Sequence, residues 1–284
     1  MPSHSLLRLT QQIYNRPQLI TPQAFDVILD YLETRNDVGI IKLDFADAVP
    51  LDAPGHEDKP YADGLGVLAI DGSLTYKPVM SICGEVGTSY KSLVQQTEEM
   101  AEAGVRTIVM EVTSGGGEAA HCFETCNEIR AIADESNIKL IGYADTHAAS
   151  AAYALICVCD EVIANPSASL GSIGCVVSLM DTSEAYKKAG LKRIFITSGK
   201  NKVPFDAEGA FKQEFLDEIQ ENVNKLNSEF AAHVSHHTGL SVETIKGFQA
   251  GMFDADEALE LGLANKIMTN KAFAKYVAEV HKGT

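Results

Sequence analysis

A serine inside a run of small residues is the first candidate for chemistry in this sequence. Ser150 lies in the stretch 147–153, HAASAAY, between an apolar strand predicted over Ile138–Ala144 and an apolar helix predicted over Ala151–Val158. A strand-to-helix turn can hold a hydroxyl beside the first N–H groups of a helix, where developing negative charge is favoured. Serine at a helix start is also a common N-cap, so this stretch alone leaves a nucleophile and a cap open.

Three consecutive glycines, Gly115–Gly117, are the second candidate, because they follow a strand predicted over Val105–Val112. Glycine lets a backbone approach a substrate carbonyl closely and turn an N–H toward it, as an oxyanion hole requires. A phosphate cradle is disfavoured, since the sequence matches neither GxGxxG nor a Walker loop and Glu118 would repel a phosphate. A tight turn with no chemical role is the remaining alternative.

A nucleophilic serine needs a general base, and the residues offer two kinds. His147 and Asp145 are close in sequence but lie on the same turn, and His121 follows the glycines. The second kind is lysine, as in Ser–Lys hydrolases. Lys202 has neutral and apolar neighbours that permit its desolvation, and Lys200 is nearly as good. A lysine base must be held neutral near pH 7, far below its usual pKa of about 10.4, which requires burial or a nearby cation.

Strands and helices alternate along the chain from Gly66 onward, which predicts an α/β fold of right-handed βαβ units around a mainly parallel sheet. Asp71-Gly72 is predicted to be a turn. Strands are predicted over residues 66–70, 105–112, 138–144, 161–164, 175–179, 193–197 and 263–267. Helices are predicted over 89–103, 118–134, 151–158, 183–189, 208–238 and 242–248, and from residues 253 and 271.

The chain divides into three predicted parts. Residues 1–44 form an N-terminal helical arm, with Thr21-Pro22 as a helix start and a short strand over Val38–Leu43. Residues 45–65 are rich in proline, aspartate and glycine and form a flexible linker. Residues 66–284 form the main domain.

Composition excludes several functional classes. With 284 residues and 45% hydrophobic residues, the chain can bury a substantial core. A net charge of −16 argues against nucleic-acid binding, and no apolar run approaches a membrane span or a secretion signal, so a cytoplasmic location is expected. Cys122 and Cys126 lie one helical turn apart beside His121, but no further ligands are near, so neither metal nor cofactor is predicted.

Several short motifs, taken in order, resemble the S49 peptidases, the signal-peptide-peptidase (protease IV) family with its related phage head-maturation proteases. The resemblance extends over about Gly66–Thr269. The motifs that carry it are SGGG at 114–117, ASAAY at 149–153, DEVIANP at 160–166, GSIG at 171–174, SGKNK at 198–202 and ALELGLANKI at 258–267.

The resemblance implies a ClpP/crotonase-like fold and a Ser–Lys dyad. Ser150 is then the nucleophile and Lys202 the general base, which the resemblance selects over Lys200 and over the histidines. Ser172 would hydrogen-bond the lysine and orient it. The oxyanion hole would be formed by the N–H of Gly116 or Gly117 together with that of Ala151.

The implied activity is that of a serine endopeptidase that cleaves scaffold and capsid proteins during phage head maturation, as a homo-oligomeric ring. Two departures from the family pattern suggest altered specificity: Gly115 replaces a proline, and Ala151-Ala152 replace two glycines. A soluble bacterial signal-peptide-peptidase-like protease is one alternative. A crotonase-type acyl-CoA enzyme, for which Glu118 would supply a carboxylate, and a non-catalytic assembly protein are the others.

Overall fold

The computed structural model describes residue 13 and residues 16–37, 61–78, 80–81, 84–85 and 87–283. The strand predicted over Val38–Leu43 and residues 45–60 of the predicted linker lie outside the described residues. The predicted division into arm, linker and main domain therefore stays a prediction.

Strands and helices alternate along most of the described chain, as the sequence predicts. The first part contains β1 (Gln18–Ile20), α1 (Pro22–Asp37), β2 (Tyr61–Ala62), β3 (Leu65–Thr75), β4 (Met80–Ser81), β5 (Gly84–Glu85), β6 (Thr88–Ser89) and α2 (Tyr90–Glu102). The middle part contains β7 (Thr107–Glu118), α3 (Cys122–Glu135), β8 (Lys139–Ala149), α4 (Ala151–Ile156), β9 (Glu161–Ala164), β10 (Ser169–Gly171) and α5 (Ser183–Lys188). The last part contains a 3-10 turn (Lys200–Lys202), α6 (Gln213–Thr238), α7 (Val242–Gly247), β11 (Met252–Asp254), α8 (Ala255–Glu260), β12 (Lys266–Ile267) and α9 (Asn270–Gly283).

A mostly parallel sheet forms the centre of the molecule. β7 pairs in parallel with β3 on one side and with β8 on the other, and β8 pairs in parallel with β9 and β10. The antiparallel pairs of this sheet are β1 with β7, β2 with β3 and β11 with β10. The predicted α/β fold with a mainly parallel sheet is thus confirmed.

Helices cover both faces of the sheet, because alternate residues of each central strand point to opposite sides. Ile108 and Met110 of β7 join the large core under α2, α3 and α4, and every residue of α4 is buried there. Val109 points to the other face, where α9 packs. The rings of Tyr143 and Phe273 stack on that face with centroids 3.9 Å apart.

The start of the N-terminal helix agrees with the sequence. Thr21 precedes the helix, its hydroxyl accepts the backbone N–H of Ala24 at 3.3 Å, and Pro22 is the first helical residue. Phe25 of this helix packs with Ile20 and Ile13 in a small core of its own.

The turn predicted at Asp71-Gly72 is wrong, because β3 continues through it to Thr75. The ladder with β7 shifts register there: Asp71 pairs with Thr113, but Ser73 already pairs with Gly116. The extra residue in β7 makes this a β-bulge, an irregularity that is common beside active sites.

Two other predicted strands are absent from the described chain. Over 175–179 only Val176 makes a bridge, with Gln18, and residues 193–197 have no strand partner. Ile194 and Ile196 are 79% and 97% exposed. Their β-branched side chains favour a strand, but a strand forms only where a neighbouring edge offers hydrogen bonds.

Candidate active site

Ser150 lies at the strand-to-helix junction that the sequence predicts, but β8 continues past the predicted end at Ala144 to Ala149, so that the strand passes directly into α4. Its backbone has φ 56° and ψ −119°, a conformation that non-glycine residues rarely adopt. The residue is 1% exposed, its N–H donates to the Gly171 carbonyl at 2.8 Å, and its carbonyl accepts the Ala154 N–H at 3.0 Å. A serine on such a strained strand-to-helix turn is typical of a nucleophile elbow.

Ser172 lies beside Ser150 because their strands are parallel neighbours. Gly171 at the end of β10 is in register with Ala149 at the end of β8, so the next residue of each strand is a serine. Ser172 also has a positive φ, 53°, and is 5% exposed. The Ser150 hydroxyl donates a long hydrogen bond, 3.4 Å, to the Gly174 carbonyl, and in the described chain no hydrogen bond joins the two serine hydroxyls.

The glycines lie inside β7, whereas the sequence predicts that this strand ends before them, at Val112. A Cβ on Gly116 would lie 2.1 Å from the Leu19 carbonyl oxygen, and a Cβ on Gly117 would lie 2.0 Å from the Leu74 carbonyl oxygen. Gly116 also has φ +96°. Glycine is therefore required here because backbone approaches closely from both sides.

The predicted oxyanion donors are partly engaged. The Gly116 N–H donates to the Ser114 hydroxyl at 3.2 Å, and that hydroxyl donates to the Gly72 carbonyl at 2.5 Å. Gly117 is paired with Leu19 of β1. The Thr21 N–H bonds to the Gly115 carbonyl, and hydrogen-bonded pairs alternate in an antiparallel ladder, so Leu19 and Gly117 are the next such pair.

Ala151 begins α4, where the first N–H groups have no partner within the helix. The N–H of Ala151, the remaining predicted oxyanion donor, therefore lies at the start of the helix, directly after Ser150. Ala151 and Ala152 are both completely buried, so the two methyl groups that depart from the family pattern pack into the core.

Lys202 lies in the 3-10 turn, where its N–H donates to the Gly199 carbonyl at 3.1 Å. Its side chain is exposed and makes no hydrogen bond or ion pair with any described residue. The structure therefore does not bring Lys202 to hydrogen-bonding distance of Ser150. The backbone of Lys200 belongs to the same turn.

The histidines and acids that the sequence left open have other partners. His121 stacks on Tyr76 with ring centroids 3.8 Å apart, and His147 bonds to the Thr146 hydroxyl through Nδ1 at 3.0 Å. Asp145 accepts a hydrogen bond from the Asn270 amide at 3.1 Å. Glu118 is 7% exposed, and its carboxylate accepts the Tyr76 backbone N–H at 2.5 Å.

The cysteines beside His121 lie in the core. Cys122 and Cys126 are fully buried, and the Cys126 thiol donates to the Ala154 carbonyl at 3.2 Å. Burial raises the pKa of the Cys126 thiol well above its usual value, so its metal-binding thiolate form is disfavoured. In the described ranges, no group of three or more His, Cys, Asp or Glu side chains could hold a metal ion.

Sequence reasoning missed two contributors to the site. Ser114 holds the glycine stretch through its hydroxyl, and its position directly before the glycines is the only local signal for that role. The strand Gln18–Ile20 lies against the glycines, and the short apolar pair before Thr21 signals a strand but not its partner. Of the helices in the described parts of the chain, none has the length and apolar character needed to cross a bilayer.

Two phage proteins are similar to this chain. Head-tail preconnector protein GP5 of Enterobacteria phage P21 is 27% identical over 209 residues, which are 72% of this chain and 41% of that protein. Capsid assembly protease C of Escherichia phage lambda is 23% identical over 209 residues, which are 73% of this chain and 47% of that protein. The chain thus spans less than half the length of either relative.

Among solved structures, a ClpP1 mutant from Listeria monocytogenes matches with a TM-score of 0.44 and 12% sequence identity, over 72% of this chain and 92% of that one. The model of Peptidase family S49 matches residues 132–283, which include Ser150, Ser172 and Lys202 but not the glycine stretch. Because that match covers more than half of the 284 residues, the chain belongs to peptidase family S49.

Proposed function

We propose that this chain is a serine endopeptidase that cleaves scaffold and capsid proteins during phage head maturation, with Ser150 as nucleophile and Lys202 as general base. The observation that carries the proposal is the strained, buried turn that holds Ser150 between β8 and α4 in a chain of family S49. The phage substrates are suggested by the names of the two phage relatives.

In the proposed reaction, the Ser150 oxygen attacks the scissile carbonyl while its proton passes to the neutral Lys202 amine. The oxyanion receives hydrogen bonds from the N–H groups of Ala151 and of Gly116 or Gly117. The protonated lysine then gives its proton to the leaving amine, which leaves an acyl-enzyme on Ser150. Water, deprotonated by the same lysine, then attacks the acyl-enzyme; the bond between the acyl group and the Ser150 oxygen breaks, the lysine returns the proton to that oxygen, and the acid product leaves. Ser172 positions the lysine.

This chemistry requires a desolvated lysine, and Lys202 is exposed in the isolated chain. A free lysine side chain is almost entirely protonated near pH 7, because its pKa is about 10.4. We therefore propose that the turn carrying Lys202 closes over Ser150 in the working assembly, a homo-oligomeric ring in the host cytoplasm or the prohead interior.

The test compares single variants in a peptide-cleavage assay and in labelling by a fluorophosphonate probe. We expect Ser150→Ala and Lys202→Ala each to lower cleavage by about 10³-fold or more, since members of a catalytic unit act together. Lys200→Ala is the matched control and should cleave at nearly the rate of the unmodified chain. Full activity of Lys202→Ala would exclude the dyad, and probe labelling that persists in Ser150→Ala would exclude Ser150 as the nucleophile.

A bacterial protease that degrades signal peptides would use the same residues, so a comparison of capsid-protein and signal-peptide substrates separates it from the phage role. The crotonase-type alternative is weakened because the Glu118 carboxylate is held by the Tyr76 backbone. A non-catalytic assembly protein would form rings without labelling by the probe.

A further inference from the structure

The sheet has a gap in front of Ser150. β8 pairs with β7 as far as the Ser114–Ala148 pair, and then its chain turns at Ser150 into a helix. β3 occupies the opposite edge of β7, where it pairs with Gly116 and Gly117. The edge of β7 beyond Ser114 is therefore left open on the side that β8 vacates.

β1 fills this gap. Leu19 and Ile20 pair antiparallel with Gly117 and Gly116. A Cβ on Gly116 would lie 2.1 Å from the Leu19 carbonyl oxygen and 3.1 Å from that of Ala149, the residue before the nucleophile. β1 therefore continues the line of β8 immediately beyond Ser150.

The other side of β1 is also held by backbone. The Gln18 N–H donates to the Val176 carbonyl at 2.9 Å, and the Val176 N–H donates to the Gln18 carbonyl at 3.0 Å. Val176 lies two residues after Gly174, whose carbonyl accepts the Ser150 hydroxyl. Two backbone edges beside the nucleophile thus clasp one extended strand, an arrangement by which domains capture an extended peptide.

β1 is buried between these two backbone edges. Gln18, Leu19 and Ile20 are 1%, 0% and 5% exposed. Leu19 is in register with Gly117, and the alternation of hydrogen-bonded pairs set by the Thr21 N–H on the Gly115 carbonyl makes the Leu19 carbonyl the acceptor for the Gly117 N–H, one of the groups that the proposed reaction needs for the oxyanion. A second chain cannot occupy the same place while β1 is there.

We propose that Gln18–Ile20 is an autoinhibitory strand that fills the groove through which Ser150 would receive the main chain of a protein substrate. The inference rests on the proposed function. Substrate enters only when β1 leaves, and then pairs antiparallel with Gly115–Glu118 on one side and with Val176 on the other.

A reversible lock tests the proposal in the full chain. Gln18 and Val176 are a hydrogen-bonded antiparallel pair, whose Cα atoms are about 5.5 Å apart, within the range that a disulfide spans. The variant Gln18→Cys with Val176→Cys is made in a Cys175→Ser background, because Cys175 adjoins the new thiol. Cleavage of a capsid-derived peptide is measured after oxidation and again after reduction.

We expect the oxidised protein to cleave at least about tenfold more slowly than the same protein after reduction. The single variants Gln18→Cys and Val176→Cys, in the same background, should show no dependence on oxidant. Equal rates in the two states, with the disulfide verified by mass spectrometry, would overturn the proposal.

Gln18→Pro tests the opposite direction, because proline lacks the N–H that donates to Val176. Weakening the strand by one backbone hydrogen bond should raise cleavage by about fivefold. If the unmodified chain is active and Gln18→Pro cleaves no faster, the autoinhibition proposal is contradicted and the proposed peptidase function is not. If the fluorophosphonate labels Ser150 in none of these proteins, the proposed peptidase function itself is contradicted.

Discussion

The residues around Ser150 show what single positions contribute to the site. Ser150 and Ser172 each follow the end of a parallel strand, and each has a positive φ. Gly116 must be glycine because of a partner almost a hundred residues earlier in the chain, since a Cβ added to it would meet the Leu19 carbonyl oxygen. Local turns thus determine the positions of the two serine side chains, whereas the need for glycine is imposed by backbone that is distant in the sequence.

Gly116→Ala tests that close approach. The new Cβ would meet the Leu19 carbonyl oxygen at 2.1 Å, in addition to the strain of φ +96°. We expect a loss of about 3 kcal/mol or more in the free energy of unfolding, measured by urea denaturation.

Gly104→Ala is the matched control, since Gly104 has φ +75° but a Cβ added there would meet nothing within 4 Å. It should cost only the backbone strain, about 1–2 kcal/mol. Equal losses of unfolding free energy in the two variants would mean that β1 moves away from the new methyl group without loss of stability, and would contradict the close approach as the reason for glycine.

At the scale of elements, the sequence predicts most of the sheet and its covering helices. Buried strands such as β9 and amphipathic helices such as α2 follow from short-range apolar patterns. The predictions fail where the extent of a strand depends on which other strand pairs with it. β7 and β8 run on past their apolar runs, β1 joins a distant edge, and residues 193–197 find no edge in the described chain. The periodicity of apolar residues indicates which face of a strand is buried, but it does not indicate which other strand pairs with that strand.

The same holds for the candidate site. Ser150, Ser172 and the glycines are predicted as site residues by the motifs of the family resemblance. The structure brings Ser150 and Ser172 together because the ends of neighbouring parallel strands meet at one edge of the sheet. The exposure of Lys202 could not be predicted, because it depends on what packs over the segment between β10 and α6.

α6 carries a histidine that makes the fold sensitive to acid. Burial, with His233, His236 and Arg130 nearby, lowers the pKa of His237 to about 4 in the folded chain, against about 6.5 when unfolded. The unfolded chain therefore binds the proton more readily, so the stability due to neutral His237 is complete above pH 6.5 and is lost as the pH falls toward 4.

His237→Gln should therefore reduce the loss of unfolding free energy between pH 7 and pH 5, as measured by urea denaturation. Part of the loss should remain, because burial also lowers the pKa of His233. His281→Gln, on α9, is the control for removing a histidine elsewhere. An unchanged pH dependence in His237→Gln would contradict this account.

At the scale of the whole molecule, an apolar segment of the described chain is uncovered beside the proposed general base. Ile194 and Ile196 are among its exposed side chains, and Lys202 follows on the next turn. A second copy of the chain packed on this segment would bury both the isoleucines and the lysine. The proposed ring and the proposed dyad would then depend on each other.

Ile196→Asp should accordingly break the assembly and lower cleavage together. We expect sedimentation velocity to show a shift to monomer and peptide cleavage to fall about tenfold, the effect of roughly 1.4 kcal/mol. Leu259→Asp, a similar change at a side chain that is 40% exposed on α8, should alter neither. An unmodified chain that sediments as a monomer while fully active would refute the link.

The position of β1 has a consequence for which substrates could be cut. A strand joined to the enzyme competes at an effective concentration that is typically on the order of millimolar for short tethers. A dilute free peptide would rarely displace such a competitor. Protein packed at comparable density around the enzyme would displace it often, so under the proposed mechanism crowding of substrate, and not a separate activator, could decide when cleavage begins.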